Sequence, residues 1–200
     1  MILAGRVSGM AALPRPTFRA MGAAMSMDVD AQGDIEPQTV QWLQRAALSY
    51  IDRYPTSRAN LVRVLRRKLH RRGLDDAAHR MLAESLADRL CAARLVDDAQ
   101  FAELRVSALK RRGASALAIR GKLMEKGVDD ETAAAAMERE GHDEAAAALR
   151  YARRRGLGPF RRKDRQARHD RDIAAMMRAG FPGGVARRVV EGDGEPAEDA

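Results

Sequence analysis

Three carboxylate pairs recur along this chain, each preceded by an apolar residue, and their residue types could do chemistry. They are Leu74-Asp75-Asp76, Val96-Asp97-Asp98 and Val128-Asp129-Asp130. Carboxylate oxygens are preferred ligands of hard divalent cations, and two carboxyl groups can divide the acid and base steps of a hydrolysis. An aspartate can also cap a helix, because its side-chain oxygen accepts a hydrogen bond from a free N–H of the first turn. The neighbouring residues decide between these roles.

The residues around Asp97 are typical of a helix start. If Asp97 is the N-cap, Gln100 occupies position N3, where its side chain can reach back as in a capping box. Val96 and Phe101 then occupy the two positions of a hydrophobic staple. Asp98, at N1, lies at the positive end of the helix dipole. Such a cap is worth about 1 kcal/mol, so we interpret the pair as the signal that starts a helix.

The other two pairs fit the same interpretation with weaker staples. Asp75 follows Gly73, a residue typical of a helix end, and is predicted to cap the next helix. Asp129 is predicted to cap another helix after Gly127. Metal binding and acid catalysis remain the alternatives for all three pairs.

The rest of the chain contains no pattern that indicates an active site. It has no GxxxxGK[ST] loop, no GxGxxG after a strand, no HExxH and no nucleophile elbow. The four histidines lie at no metal-ligand spacing. The single cysteine, Cys91, lies in an apolar helical pattern and excludes both an intramolecular disulfide and a cysteine-based zinc cluster. We therefore expect no enzymatic activity, no metal and no cofactor.

The sequence also predicts a cytoplasmic location. No apolar run approaches the roughly 18 residues that span a bilayer, and the N-terminal segment lacks the continuous apolar stretch of a signal peptide. One cysteine fits a reducing compartment. We expect no membrane association.

The composition favours helices over strands. Hydrophobic residues make up 46% of the chain but aromatic residues only 4%. A core must therefore be built from Leu, Ala, Val and Met, which suit helices better than strands. Apolar residues also recur at helical spacing, as in Leu43, Ala47, Tyr50 and Tyr54. The predicted fold class is all-α.

The helical segments form a pattern that repeats about three times. The clearest match is Leu65-x₃-Leu69-x₃-Gly73 against Ile119-x₃-Leu123-x₃-Gly127, and Asp172-x₃-Met176-x₃-Gly180 is a fainter copy. Tandem repeats of this kind bury a core between neighbours and tend to be elongated. We predict an elongated, curved basic body of three-helix repeats. The predicted ranges are a disordered extension over 1–37, repeats over 38–94, 95–141 and 142–190, and an acidic disordered tail over 191–200.

Charge is concentrated in the middle of the chain. The formal net charge is +8 overall. The first 37 residues carry −1 and the last ten carry −5, so residues 38–190 carry +14. A helical body this basic is expected to bind a polyanion, either nucleic acid or a protein assembled on it. The alternative is an arginine-rich surface that is merely solvated.

The basic residues recur in runs near the ends of successive helices, which favours a shared contact surface. The candidate partner-binding and DNA-binding residues are Arg63, Arg66, Arg67, Lys68, Arg71, Arg72, Lys110, Arg111, Arg112, Arg120, Lys122, Lys126, Arg153, Arg154, Arg155, Arg161, Arg162 and Lys163. No aromatic residue lies within these runs, which argues against a platform that stacks the bases of single strands. No helix offers residues for reading base edges, so binding to the nucleic-acid backbone is expected without sequence specificity.

Several of these motifs together resemble the RecX family of bacterial regulatory proteins. They are Leu65-x₂-Lys68-Leu69-x₃-Gly73, Leu95-Val96-Asp97-Asp98-x₂-Phe101-Ala102, and Arg112-Gly113-x₅-Ile119-x₃-Leu123-x₂-Lys126-Gly127. The resemblance covers about residues 40–190. It implies that Asp97, Asp98, Phe101, Ala102, Gly113, Ile119, Leu123 and Gly127 are structural residues of the repeats.

The resemblance also implies a function. Proteins of this family lie in the groove of the RecA–DNA filament, contact RecA and DNA, and inhibit the ATPase, strand-exchange and coprotease activities of RecA. The expected role lies in recombination, DNA repair and the SOS response, with the filament as partner and the protein as a monomer. The alternative is an autonomous DNA-binding or nucleoid-type protein that acts without RecA.

Overall fold

A computed structural model of the protein describes residues 35–194. Over that range the chain forms α-helices and one 3₁₀ turn, Gly158–Phe160, with no strand. The helices are α1 (Pro37–Arg53), α2 (Arg58–His70), α3 (Ala77–Ala92), α4 (Asp98–Arg111), α5 (Ala116–Met124), α6 (Asp130–Arg139), α7 (Glu144–Arg155), α8 (Arg165–Arg178) and α9 (Gly183–Glu191). The predicted all-α class is confirmed. Of the two segments predicted to be disordered, 1–37 and 191–200, residues 1–34 and 195–200 lie outside the described residues, while Pro37 and Glu191 belong to α1 and α9.

The helices pack in groups of three, as the repeat pattern predicts. Helices α1, α2 and α3 contact one another, and so do α4, α5 and α6. In the third group α9 packs on both α7 and α8. Ile119 and Leu123 lie in the core of the second group, and Met176 and Phe181 lie in that of the third. The boundaries of the repeats at 94/95 and 141/142 stay predictions.

The starts of the helices follow the predicted capping chemistry at two of the three aspartate pairs. Asp97 accepts a hydrogen bond from the backbone N–H of Gln100 at 2.9 Å. Asp129 accepts one from the backbone N–H of Thr132 at 2.7 Å. Val96 is buried, as its place in a hydrophobic staple requires. The carboxylates therefore fix where α4 and α6 begin.

The prediction for Asp75 is wrong by one residue. Asp76 is the N-cap of α3, and its carboxylate accepts a hydrogen bond from the backbone N–H of His79 at 2.9 Å. Asp75 is instead held by two basic side chains. His70 Nδ1 lies 3.0 Å from its carboxylate, and Arg80 donates to its backbone oxygen at 2.7 Å. Because Asp75 is engaged in this way, the next carboxylate caps the helix.

Helix ends follow the glycine pattern. The backbone N–H of Leu74 donates to Leu69 O at 3.1 Å, while Gly73 between them has a φ of +74°. This left-handed residue closes α2 in a Schellman arrangement. Within residues 35–194 no helix is both long enough and apolar enough to cross a membrane.

Candidate polyanion-binding surface

Two serines join successive groups of helices in the same way. Ser57 and Ser115 are the N-caps of α2 and α5, and each accepts a hydrogen bond from a backbone N–H of its own first turn at 3.2 Å. The hydroxyl of Ser57 donates to Lys126 O, just past the end of α5. The hydroxyl of Ser115 donates to Ala179 O, just past the end of α8, at 2.7 Å. Each serine therefore bridges the start of one helix and the end of another.

Two carboxylates repeat a second contact at the same places. Asp98, the first residue of α4, accepts a hydrogen bond from Arg58 N at 2.7 Å. Glu144, the first residue of α7, accepts one from Ala116 N at 2.8 Å. Arg58 and Ala116 are the first residues of α2 and α5, whose amides would otherwise lack partners. Each helix start thus receives a cap from the next group.

Close approach at both junctions depends on glycine. A side chain at Gly127 would collide with Ala59 in α2, and one at Gly180 would come within 2.6 Å of Ser115 Oγ. The N-terminus of α2 therefore rests on the C-terminus of α5, and the N-terminus of α5 rests on that of α8. Opposite ends of the helix dipoles meet, which favours the arrangement. Helices α2, α5 and α8, with the cations they carry, are therefore joined end to end.

Many of the predicted contact residues are engaged inside the protein. Arg66 pairs with Glu84, Lys110 Nζ donates to Glu140 O, and Arg120 lies 3.6 Å from Asp130. The remaining engaged residues are Arg111 on Ser107, Lys122 on Glu125, Lys126 on Asn60, Arg72 over Trp42, Arg153 over Phe160 and Arg154 over Tyr151. These side chains stabilise their own surroundings before they can contact a partner.

Arg161 is the most firmly held of the predicted residues. Its guanidinium donates twice to Asp172, with Nε–Oδ2 and Nη2–Oδ1 distances of 2.8 and 2.5 Å. Gly158 N also donates to that carboxylate at 2.9 Å. Burial raises the pKa of Asp172, but the hydrogen bonds from Arg161 and Gly158 outweigh it and lower the pKa below its ordinary value. The pair fixes the 3₁₀ turn against α8.

The other predicted cations are available to a partner. Arg63, Arg67 and Arg71 recur every four residues along one exposed face of α2, where Arg71 is the C-cap of the helix. Arg63 reaches only the backbone oxygen of Ala59 in its own helix, and no acidic side chain of residues 35–194 contacts any of the three. The further predicted residues without a partner in that range are Lys68, Arg112, Arg155, Arg162 and Lys163.

Sequence reasoning missed several exposed cations of the same kind. Arg53 is the last residue of α1, as Arg155 is of α7, and Arg112 is the C-cap of α4. Arg171 and Arg178 lie seven residues apart on α8, which places them on the same face of that helix. None of these three has a partner within residues 35–194. They stand alone in the sequence and not in runs, so a search for basic runs passes over them. Comparing equivalent helix ends finds Arg53.

Two further titratable groups within residues 35–194 are the Cys91 thiol and the His142 ring. Burial raises the pKa of the Cys91 thiol, with a smaller contribution from Asp98, so the thiol stays protonated at neutral pH. The His142 ring is almost fully buried, and its Nε2 lies 2.9 Å from Glu144 at the junction of α5 and α7. Within residues 35–194, no three His, Cys, Asp or Glu side chains are grouped as metal ligands.

The predicted structural residues lie in the cores and at the junctions. Phe101, Ala102, Ile119 and Leu123 are buried, while Asp97 and Asp98 cap helices. Gly113 lies so close to α7 that a side chain there would come within 2.8 Å of Ala147 O and Tyr151 N.

Comparison with known proteins identifies relatives of the chain. Residues 97–137 match the family model described as RecX, second three-helix domain. The chain is 34% identical over 176 residues to the regulatory protein RecX of Myxococcus xanthus, covering 83% of this chain and 93% of that protein. It is 31% identical over 180 residues to the regulatory protein RecX of Agrobacterium fabrum, covering 88% and 96%. It is 37% identical over 138 residues to that of Amycolatopsis mediterranei, covering 67% and 75%. No solved structure matches the chain.

Proposed function

This chain belongs to the RecX family of regulatory proteins, and on that premise we propose that it binds the RecA–DNA filament and inhibits RecA. Inhibition would extend to ATP hydrolysis, strand exchange and coprotease activity in recombination, DNA repair and the SOS response. The observation that carries the proposal is the similarity to RecX proteins along nearly their whole length, 93% of the one from Myxococcus xanthus. The protein would act without chemistry of its own.

We propose the free cations as the part of the site that meets nucleic acid. The exposed row Arg63, Arg67 and Arg71 has no acidic partner within residues 35–194. No internal salt bridge therefore has to break before these arginines pair with phosphates. Release of counterions from the phosphates supplies the affinity of such contacts, independently of sequence. The cations that pair with a carboxylate, such as Arg66 and Arg161, are proposed to be structural.

The test is ATP hydrolysis by the cognate RecA on single-stranded DNA. We expect hydrolysis to be suppressed when the molar ratio of this protein to RecA is well below one. The protein concentration should be one at which bare DNA in the same buffer stays mostly unbound. Suppression that begins only when the DNA itself is saturated would contradict the proposal. It would favour the second candidate, an autonomous DNA-binding protein, which the unpaired cations also support.

Two matched triple variants assign the site. Replacing Arg63, Arg67 and Arg71 with alanine removes three free charges. The control replaces Arg120, Lys122 and Arg139 with alanine, which removes three charges that are paired with acids. We expect the first variant to need about tenfold more protein for the same suppression, because three phosphate contacts are lost. Equal effects of the two variants would show that net charge matters and the row does not.

A further inference from the structure

The aromatic ring of Tyr54 is exposed beside the junction of α2 and α5, although the sequence pattern predicts that it is buried. Leu43 and Ala47 are fully buried on the inner face of α1, but Tyr54, which continues their spacing, is 56% exposed. Pro55 ends the helix, and Tyr54 has an extended backbone with φ −134° and ψ 114°. The ring has therefore left the core-facing stripe.

This ring is held in place by its neighbours. Tyr54 packs against Tyr50 with ring centroids 5.3 Å apart and the planes tilted by 45°. The hydroxyl of Tyr50 accepts a hydrogen bond from Asn60 Nδ2 at 3.2 Å, and the same nitrogen donates to Thr56 Oγ1 at 2.8 Å. A side chain fixed in advance loses little conformational entropy when a ligand binds it.

Two cations lie near this aromatic pair. Arg53 precedes Tyr54 in the chain and is exposed, with no partner in the described part of the chain. Asn60, which is bonded to Tyr50, also accepts a hydrogen bond at its Oδ1 from Lys126 Nζ at 3.4 Å. Lys126 is positioned by the junction, because Ser57 binds its backbone oxygen. An ammonium group is thus one amide group away from the Tyr50 hydroxyl.

We propose that Tyr54 stacks on an unpaired nucleobase, while Arg53 and Lys126 bind the phosphates on either side of it. An exposed ring with cations nearby suits single-stranded nucleic acid, whose bases are free to stack and whose phosphates follow at each nucleotide. A duplex offers only its backbone here, because its bases are already stacked on one another. The polar groups around the aromatic pair, Asn60 on Tyr50 and Arg53 next to Tyr54 in the chain, disfavour an apolar segment of a protein as the occupant.

The inference deepens the proposed function, on which it rests, by assigning part of the nucleic-acid surface to single strands. It also changes the expectation from sequence, in which no aromatic residue lies within a basic run. Tyr54 is outside every run along the chain. The fold connects it to Lys126, 72 residues later in the chain, through Tyr50 and Asn60.

The test compares two fluorescent oligonucleotides with the same number of phosphates, an oligo-dT and an abasic strand of equal length. Fluorescence anisotropy should show that the protein binds oligo-dT about tenfold more tightly, since stacking on an aromatic ring typically contributes this much per base. Tyr54→Ala should remove the difference, and Tyr54→Phe should preserve it. Leu104→Ala is the matched control, because Leu104 is also 55% exposed but lies on α4.

Each other outcome overturns the inference in an identifiable way. Equal binding of the two strands by the wild-type protein, or an undiminished preference in a folded Tyr54→Ala variant, would exclude stacking and leave phosphate binding intact. If Tyr54→Ala weakened the inhibition of RecA while the wild-type protein bound the two strands equally, the ring would contact protein and not a base. Failure to bind either strand would remove both the stacking site and the nucleic-acid part of the proposed function. Circular dichroism of each variant would verify the helical fold.

Discussion

The adjacent residues Arg161 and Arg162 have different roles because only one of them has a carboxylate partner. Arg161 binds Asp172, which is buried with 3% of its side chain exposed, whereas Arg162 is exposed and has no partner within residues 35–194. Asp172 replaces the apolar residue of the equivalent helix position, Ile119, so it needs compensation that Ile119 does not. A run of basic residues thus contains both structural and available members.

We expect Asp172→Ala to lower the free energy of unfolding by about 3 kcal/mol at pH 7, because Arg161 and Gly158 N lose their acceptor. Arg162→Ala should stay within about 0.5 kcal/mol of the wild type. The pKa of Asp172 is lowered by folding, so its stabilisation is present above its unfolded pKa and is lost as the pH falls through its folded pKa. Urea unfolding at pH 7 and below about pH 4, the ordinary pKa of an aspartate, should show the difference shrinking, and a constant difference would contradict this assignment.

Local caps are predictable from sequence and distant caps are not. Asp97 binds a backbone N–H three residues away, and this spacing is visible in the sequence. Asp98 binds Arg58 N, 40 residues away, which nothing in the spacing indicates. The choice of Asp76 over Asp75 as the cap of α3 is not visible in the sequence either, because the two carboxylates are adjacent and either could accept the hydrogen bond.

At the scale of the helices, the ends that meet are more constrained than the helices themselves. The 3.6-residue period and the glycine ends predict each helix closely, because both depend on neighbours along the chain. The contact of α2 on α5, and of α5 on α8, is made by Ser57, Ser115 and the glycines Gly127 and Gly180. The sequence shows these residues only as caps and stops, since both contacts cross between repeats.

Two glycines with nearly the same φ allow the cost of left-handed backbone strain to be separated from the cost of crowding at the junction of α2 and α5. Gly73 has a φ of +74° with open space around it, and Gly127 has a φ of +76° against Ala59. Gly73→Ala should cost about 1 kcal/mol from left-handed strain alone. Gly127→Ala should cost about 3 kcal/mol, since overpacking at the junction adds to the same strain. Chemical denaturation measures both, and equal losses would mean that the junction adapts freely.

At the scale of the whole molecule, the uneven charge identifies the class of partner but not the partner. The sequence predicts a net charge of +14 over residues 38–190, which indicates a polyanion. Which cations are free depends on acids elsewhere in the fold, such as Glu84 beside Arg66. The proposal that the partner is a RecA filament rests on the similarity to RecX proteins and not on the charge.

The salt dependence of binding measures how many of the free cations meet phosphates. For single-stranded DNA, the slope of log affinity against log salt changes by about 0.7 for each phosphate contact. Replacing Arg63, Arg67 and Arg71 with alanine should therefore make the slope shallower by about 2. The Arg120, Lys122 and Arg139 variant has the same net charge and should keep the wild-type slope, because its lost cations were already neutralised by Asp130, Glu125 and Glu103. Anisotropy titrations between about 50 and 200 mM salt cover the required range. A slope that falls equally in both variants would mean that the molecule attracts DNA through its overall field, with no defined row of contacts.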